Sequence, residues 1–116
     1  MSAAYDGNAN SAEHKVYAFA SRLIKQYGIV AEVEREFDRV VRVTLQNGNS
    51  IRIGMIPDYE PTADNVRSFW KAFGPVDIAW NINPNGFPCD TAKKVGGELG
   101  CEVLKTEGMK SYLQTL

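Results

Sequence analysis

Apolar residues recur with a helical period from about Ser11 to Tyr27. Val16, Phe19, Ala20, Leu23 and Tyr27 fall at i, i+3, i+4, i+7 and i+11, with Tyr17 and Ile24 beside them. Asn10 with Glu13 has the form of a capping box, and Gly28 ends the helix. The period then drops to two. Ile29, Ala31 and Val33 alternate with Val30, Glu32 and Glu34; Val41, Val43 and Leu45 with Arg42, Thr44 and Gln46; Ile51, Ile53 and Met55 with Arg52 and Gly54. These runs predict three antiparallel strands within 29–56. Asn47-Gly48-Asn49 lies between the last two. A two-residue loop would set Val43 opposite Arg52 and mix the faces. A three-residue loop sets Leu45 opposite Ile51, Val43 opposite Ile53 and Val41 opposite Met55, which is the register expected.

A second helix is predicted over Thr62 to Phe73, capped by Thr62, striped by Val66, Phe69, Trp70 and Phe73, and ended by Gly74-Pro75. Next comes a strand–loop–helix–strand unit: Val76–Ile82, the loop Asn83–Pro88, a helix from Asp90 to Leu99, and Cys101–Lys105. Such units cross over right-handed, so their two strands run parallel. Gly96-Gly97 costs that helix about 1 kcal/mol per residue relative to alanine, which implies either close packing on the sheet or a frayed helix. Met109, Tyr112, Leu113 and Leu116 give a short terminal helix.

Val76, Ile78, Trp80 and Ile82 share one side of the fourth strand, and Cys101 and Val103 are expected to join them. The other side carries Glu32, Glu34, Glu36, Arg42, Thr44, Arg52, Asp77, Asn81 and Glu102. One apolar and one polar face imply helices mainly on one side. The fold expected is an α+β two-layer sandwich, in the order α-β-β-β-α-β-α-β-α. Its antiparallel meander is extended by a parallel β-α-β unit. Ala79 and Leu104, on the polar side, leave room for a third layer.

With 116 residues, the chain has the size of one domain, read as 11–116 after a flexible tail of small and polar residues at 1–10. Seven basic and eight acidic residues fall in 1–60, and six of each in 61–116. Without a basic excess, a nucleic-acid partner is disfavoured, because phosphate affinity rests on Lys and Arg. No apolar run approaches the roughly 18–20 residues that cross a bilayer, and the first residues lack signal-peptide order. The location expected is cytoplasmic, in the protein's own cell or a host cell. Cys89 and Cys101 flank a helix about 15 Å long, whereas bridged Cα atoms lie within about 7 Å; two free thiols are expected. With one histidine and two cysteines, the chain offers no metal site, and no cofactor is implied.

The order α-β-β-β-α-β resembles the core of PD-(D/E)xK nucleases, which activate water on a metal held by strand carboxylates. Here the one D/E-x-K is Glu13-His14-Lys15, on the first helix, and Ser50–Ile56 has no carboxylate. The run α-β-β-β-α also resembles a double-stranded-RNA-binding domain. The start of the second helix, Thr62-Ala63-Asp64-Asn65, lacks the lysines that family uses. Pro57-Asp58-Tyr59 and Asn83-Pro84-Asn85-Gly86 before Cys89 resemble the Pro-rich turn and cysteine loop of ubiquitin-conjugating enzymes, over about a dozen residues and without a His-Pro-Asn motif. Cys89 reads as an inert small side chain, and His14, the single histidine, as an exposed helical residue.

Two sets of residues remain. Asn81, Asn83, Asn85, Thr91, Lys93 and Lys94 collect where the fourth strand meets the next helix, a place where α/β sheets bind ligands and a helix start favours an anion; Asp90 or Thr91 is expected to cap that helix. Glu32, Glu34, Arg42 and Arg52 line the polar sheet face, either as a solvated charge ladder or as a docking surface. The function expected is that of a small non-enzymatic binding or regulatory protein whose partner is another protein. Phage and mobile-element accessory proteins, including inhibitors of host systems, commonly take this form. An enzyme or small-ligand domain using the crevice after Val76–Ile82 is the second reading, and a nucleic-acid binder the third. A homodimer is compatible with all three.

Overall fold

A computed structural model describes residues 17–116. Helix α1 covers 17–25 of these. The meander follows as β1 (Val30–Phe37), β2 (Val40–Leu45) and β3 (Ser50–Ile56). The chain continues through α2 (Ala63–Phe73), β4 (Ile78–Asn81), α3 (Asp90–Leu99), β5 (Glu102–Leu104) and α4 (Thr106–Leu113). The tail at 1–10, the Asn10–Glu13 cap and His14 lie outside the described residues. The five strands form one sheet in the order β1-β2-β3-β4-β5, antiparallel over β1–β3 and parallel over β3–β5. Element order and class are those expected from the periodicity.

The hairpin register differs from the expectation by two residues. Val43 pairs with Ile51 and Val41 with Ile53, not Val43 with Ile53. The loop does have three residues, but they are Gln46-Asn47-Gly48, closed by Leu45 N–H to Asn49 O at 2.8 Å and Gly48 N–H to Leu45 O at 2.9 Å. Gly48 occupies the left-handed position at φ +92°, where a side chain would be strained. Placing that glycine last in the loop moves the register. A shift of two keeps every side chain on its face, so Val41, Val43, Ile51 and Ile53 still share one core.

Both faces of the sheet carry helices, which corrects the two-layer expectation. α1 and α4 bury Ala20, Ile24, Met109 and Leu113 on one face, against Val41, Val43, Ile53, Met55, Ile78 and Trp80. On the other face α2 and α3 bury Val66, Phe69, Ala92 and Val95 against Val40, Ile56, Ala79 and Val103. The physical reason is chirality. The crossovers β3-α2-β4 and β4-α3-β5 advance in the same direction along the sheet, so one hand places both helices on one face. β5 also faces oppositely to the expectation. Ala79 pairs with Val103 and Trp80 with Leu104, so Val103 and Cys101 pack under α3 while Leu104 joins the α1/α4 side. Val76, just before β4, lies in the α2/α3 core as well.

Glycines set how closely that third layer approaches. A Cβ at Gly54 would lie 2.4 Å from two carbons of the Phe69 ring, and one at Gly96 would lie 2.4 Å from Val103 Cγ2. The Gly96-Gly97 pair therefore sits in an unbroken helix whose first glycine is a contact surface.

Candidate functional site

α2 and α3 cover β3–β5 and the Val40 end of β2, with Phe73 reaching Phe37. Over the rest of β1 and β2 on this face, Glu32, Glu34 and Arg42 are exposed among the described residues. The β1 ladder is irregular on both sides of Glu32–Arg35, with register shifts between Val30 and Glu32 and between Arg35 and Phe37. Glu36 keeps the face that alternation with Glu32 and Glu34 assigns it, and the second irregularity brings Phe37 onto that face as well, against Phe73. Arg42 stands opposite Glu34, yet its Nε donates to Glu36 Oε2 at 2.6 Å. Arg52 Nε donates to Glu36 Oε1 at 2.8 Å. Burial would raise the Glu36 carboxyl, but hydrogen bonds and charge from Arg52 and Arg42 outweigh it and hold the group below the usual glutamate value.

Glu32 and Glu34 are left exposed, with no ion pair among the described residues. Arg42 remains half-exposed. Arg52 does not point into solvent as a free docking group. Its side chain is 20% exposed and donates to the carbonyls of Pro75 and Phe73, the latter at 3.3 Å, while its own N–H donates to Asp77 Oδ2 at 2.8 Å. It ties the end of α2 to the sheet. Of the four residues expected on this surface, Glu32, Glu34 and Arg42 stay available, and Arg52 is a structural clamp.

The crevice after β4 is closed by backbone. Residues 82–89 fold against 57–61: Ile82 N–H donates to Ile56 O, Phe87 N–H to Tyr59 O and Cys89 N–H to Pro61 O, at 2.9–3.1 Å. Asn81 is 1% exposed. Its Nδ2 donates to Ile56 O and Asp58 O at 3.0 and 2.9 Å. Its Oδ1 has no hydrogen bond and faces Gly86, where a Cβ would lie 2.8 Å from it and 2.7 Å from Tyr59 O. Asn83 Nδ2 donates to Pro57 O at 3.2 Å, and its Oδ1 accepts from Asn85 N–H at 3.0 Å. Asn81 and Asn83 thus hold two loops together. Asn85, Thr91, Lys93 and Lys94 are exposed. The cap of α3 is Cys89, which makes no side-chain cap bond, so neither Asp90 nor Thr91 serves as expected.

Burial pushes the Cys89 thiol up, and the Glu60 carboxylate beside it adds to the effect. Burial likewise pushes the Cys101 thiol up to about 11. Both are free thiols, and both are protonated at neutral pH, which makes them poor nucleophiles.

A cavity of about 530 Å³ does lie near the strand ends, on the opposite side of the sheet. Phe19, Leu23, Asn83, Pro84, Lys105, Thr106 and Glu107 line it. Of the expected ligand residues only Asn83 reaches it. A smaller hollow of about 230 Å³ lies beside α2, lined in part by Asp58, Asn65, Phe69 and Phe73.

The paired loops also present what periodicity did not single out. Tyr59 and Phe87, 60% and 50% exposed, meet edge to face with centroids 5.7 Å apart and planes at 66°. Each lies in an irregular segment far from the other in sequence, so the pair exists only through the loop contact. The signal available in the sequence was an aromatic residue in each of two turn-rich segments, without any means of pairing them. No protein-family model matches this chain, and neither do the curated proteins or the solved structures with which it was compared.

Proposed function

We propose that this chain is a small non-enzymatic regulatory protein that acts by binding another protein through the bare half of its sheet. The observation that carries the reading is the distribution of charge on that face. Glu36 draws both arginines to itself, leaving Glu32 and Glu34 exposed and unpaired on an ordered strand among the described residues. Glu36 and Arg52 serve the fold, since they pair with each other at 19% and 20% exposure and Arg52 also holds the end of α2. Stability gives little reason for Glu32 and Glu34, which exposed charges beside them would reward by under about 1 kcal/mol each. Charges on an uncovered surface govern partner choice and association rate more strongly. The crevice reading loses support because Asn81 and Asn83 are engaged with backbone carbonyls. A nucleic-acid partner is disfavoured by the spare carboxylates. No helix among the described residues is long and apolar enough to cross a membrane.

Affinity capture with the full chain tests the proposal. The wild type, Glu32→Lys with Glu34→Lys, and Asn83→Ala with Asn85→Ala are compared for the proteins retained from lysate of the source cell. The expected result is a protein retained by the wild type and the asparagine variant and lost by the lysine variant, with all three chains folded by circular dichroism. Retention by the lysine variant and loss by the asparagine variant would reverse the assignment.

A further inference from the structure

The clasp formed by segments 57–61 and 82–90 is rigid and chemically one-sided. Two backbone hydrogen bonds join its halves, Phe87 to Tyr59 and Cys89 to Pro61, and the amides of Asn83 and of the adjoining Asn81 hold the first segment. Gly86 packs so closely on Asn81 and Tyr59 that no side chain fits there. Its tip carries two of the five large apolar side chains exposed among the described residues, and they touch each other. Two exposed aromatic rings held on a fixed backbone lose little conformational freedom on binding, a property of interface anchors.

Within these two segments the charge is of one sign, although Arg39 lines the hollow that Asp58 borders and Lys93 and Lys94 follow on α3. The two segments contain Asp58, Glu60 and Asp90 and no Lys or Arg. All three carboxylates are exposed, and none forms an ion pair among the described residues. A purely apolar partner would leave those carboxylates without a match. An anion would be repelled. A cation on a planar, weakly hydrated group satisfies both features, because it is attracted to ring faces and to carboxylates together.

We propose that the Tyr59–Phe87 clasp is a second docking site that takes an arginine side chain of a partner protein. The guanidinium lies on an exposed ring face, and the carboxylates of the same loops supply the countercharge. This site is separate from the Glu32/Glu34 sheet face and stands or falls without it.

The test uses the full chain, labelled for NMR at its aromatic rings and amides. It is titrated with a nine-residue Gly/Ser peptide containing three arginines, and with the same peptide carrying glutamine in their place. A saturable shift centred on Tyr59 and Phe87 with the arginine peptide, absent with the glutamine peptide, is the result expected. Tyr59→Leu or Phe87→Leu should weaken binding about three- to fivefold while leaving the remaining amide spectrum in place. Glu32→Gln with Glu34→Gln should not change it. No shift at the two rings, an equal response to the glutamine peptide, or a response centred on Glu32 and Glu34 would overturn the proposal; the last of these would leave the sheet-face reading intact.

Discussion

Glu36 shows how one side chain reorganises a surface that the sequence presents as a regular ladder. Spacing places Glu32, Glu34 and Glu36 on one strand and Arg42 and Arg52 on the next two, without saying which pairs form. In the fold Glu36 takes both arginines, and its side chain is 19% exposed. A carboxylate hydrogen-bonded by two guanidiniums is stabilised in its charged form. Its folded-state value lies below its unfolded one. The stability it contributes is therefore present above the ordinary glutamate value and is lost as pH falls through the depressed folded value. Glu36→Gln should cost about 1–2 kcal/mol at neutral pH in urea unfolding. It should also flatten the loss of stability as pH falls below the ordinary glutamate value of about 4.3. Parallel acid profiles for the two proteins would show that another carboxylate governs that limb.

Among the elements, α3 makes the sharpest distinction between local propensity and packing. Two adjacent glycines read as equal weaknesses in a helix. Gly96 is buried against Val103 and the Cys101 carbonyl, whereas Gly97 is exposed with nothing near its Cβ position. Gly96→Ala should destabilise the protein by about 1–3 kcal/mol through overpacking. Gly97→Ala should stabilise it by roughly 0.5–1 kcal/mol through helix propensity. Thermal melts of the two variants separate these effects; equal gains from both would mean that the helix end is not seated on β5. The β2–β3 hairpin carries the complementary lesson. Its loop length and faces were legible from the alternation of Val41, Val43, Ile51 and Ile53. Its register was not, because Gly and Asn both tolerate the left-handed position and only the closed loop selects Gly48.

At the scale of the whole molecule, two cores share one sheet, and β3 and β4 have a strand on either side and helices above and below. β1 is the longest strand but lies at an edge, with irregularities flanking Glu32–Arg35 and charges along it, features that discourage edge-to-edge pairing. Amide exchange should therefore be slowest for Ile51–Ile56 and Ile78–Asn81. The outward amides of Glu32–Arg35 should exchange quickly despite the strand's length. Protection of the β1 edge that rises with protein concentration would instead identify a self-association surface.

Local pattern determined the order and type of the elements from Phe19 onward, the caps at Thr62 and Gly74, the apolar faces of β2–β4, and the gathering of Glu32, Glu34, Glu36 and Arg42 on one side of β1–β2. These follow from side-chain period and turn chemistry, which act over a few residues. Tertiary structure alone decided the rest. It turned β5 so that Val103 rather than Leu104 faces α3, because crossovers of a single hand needed an apolar surface there. Asn81 and Asn83 became loop ties, since a neighbouring segment brought carbonyls to their amides. Tyr59 and Phe87 met across 28 residues of chain. Contacts between distant segments depend on which face each element buries and how its loops close. No window of adjacent residues contains that information.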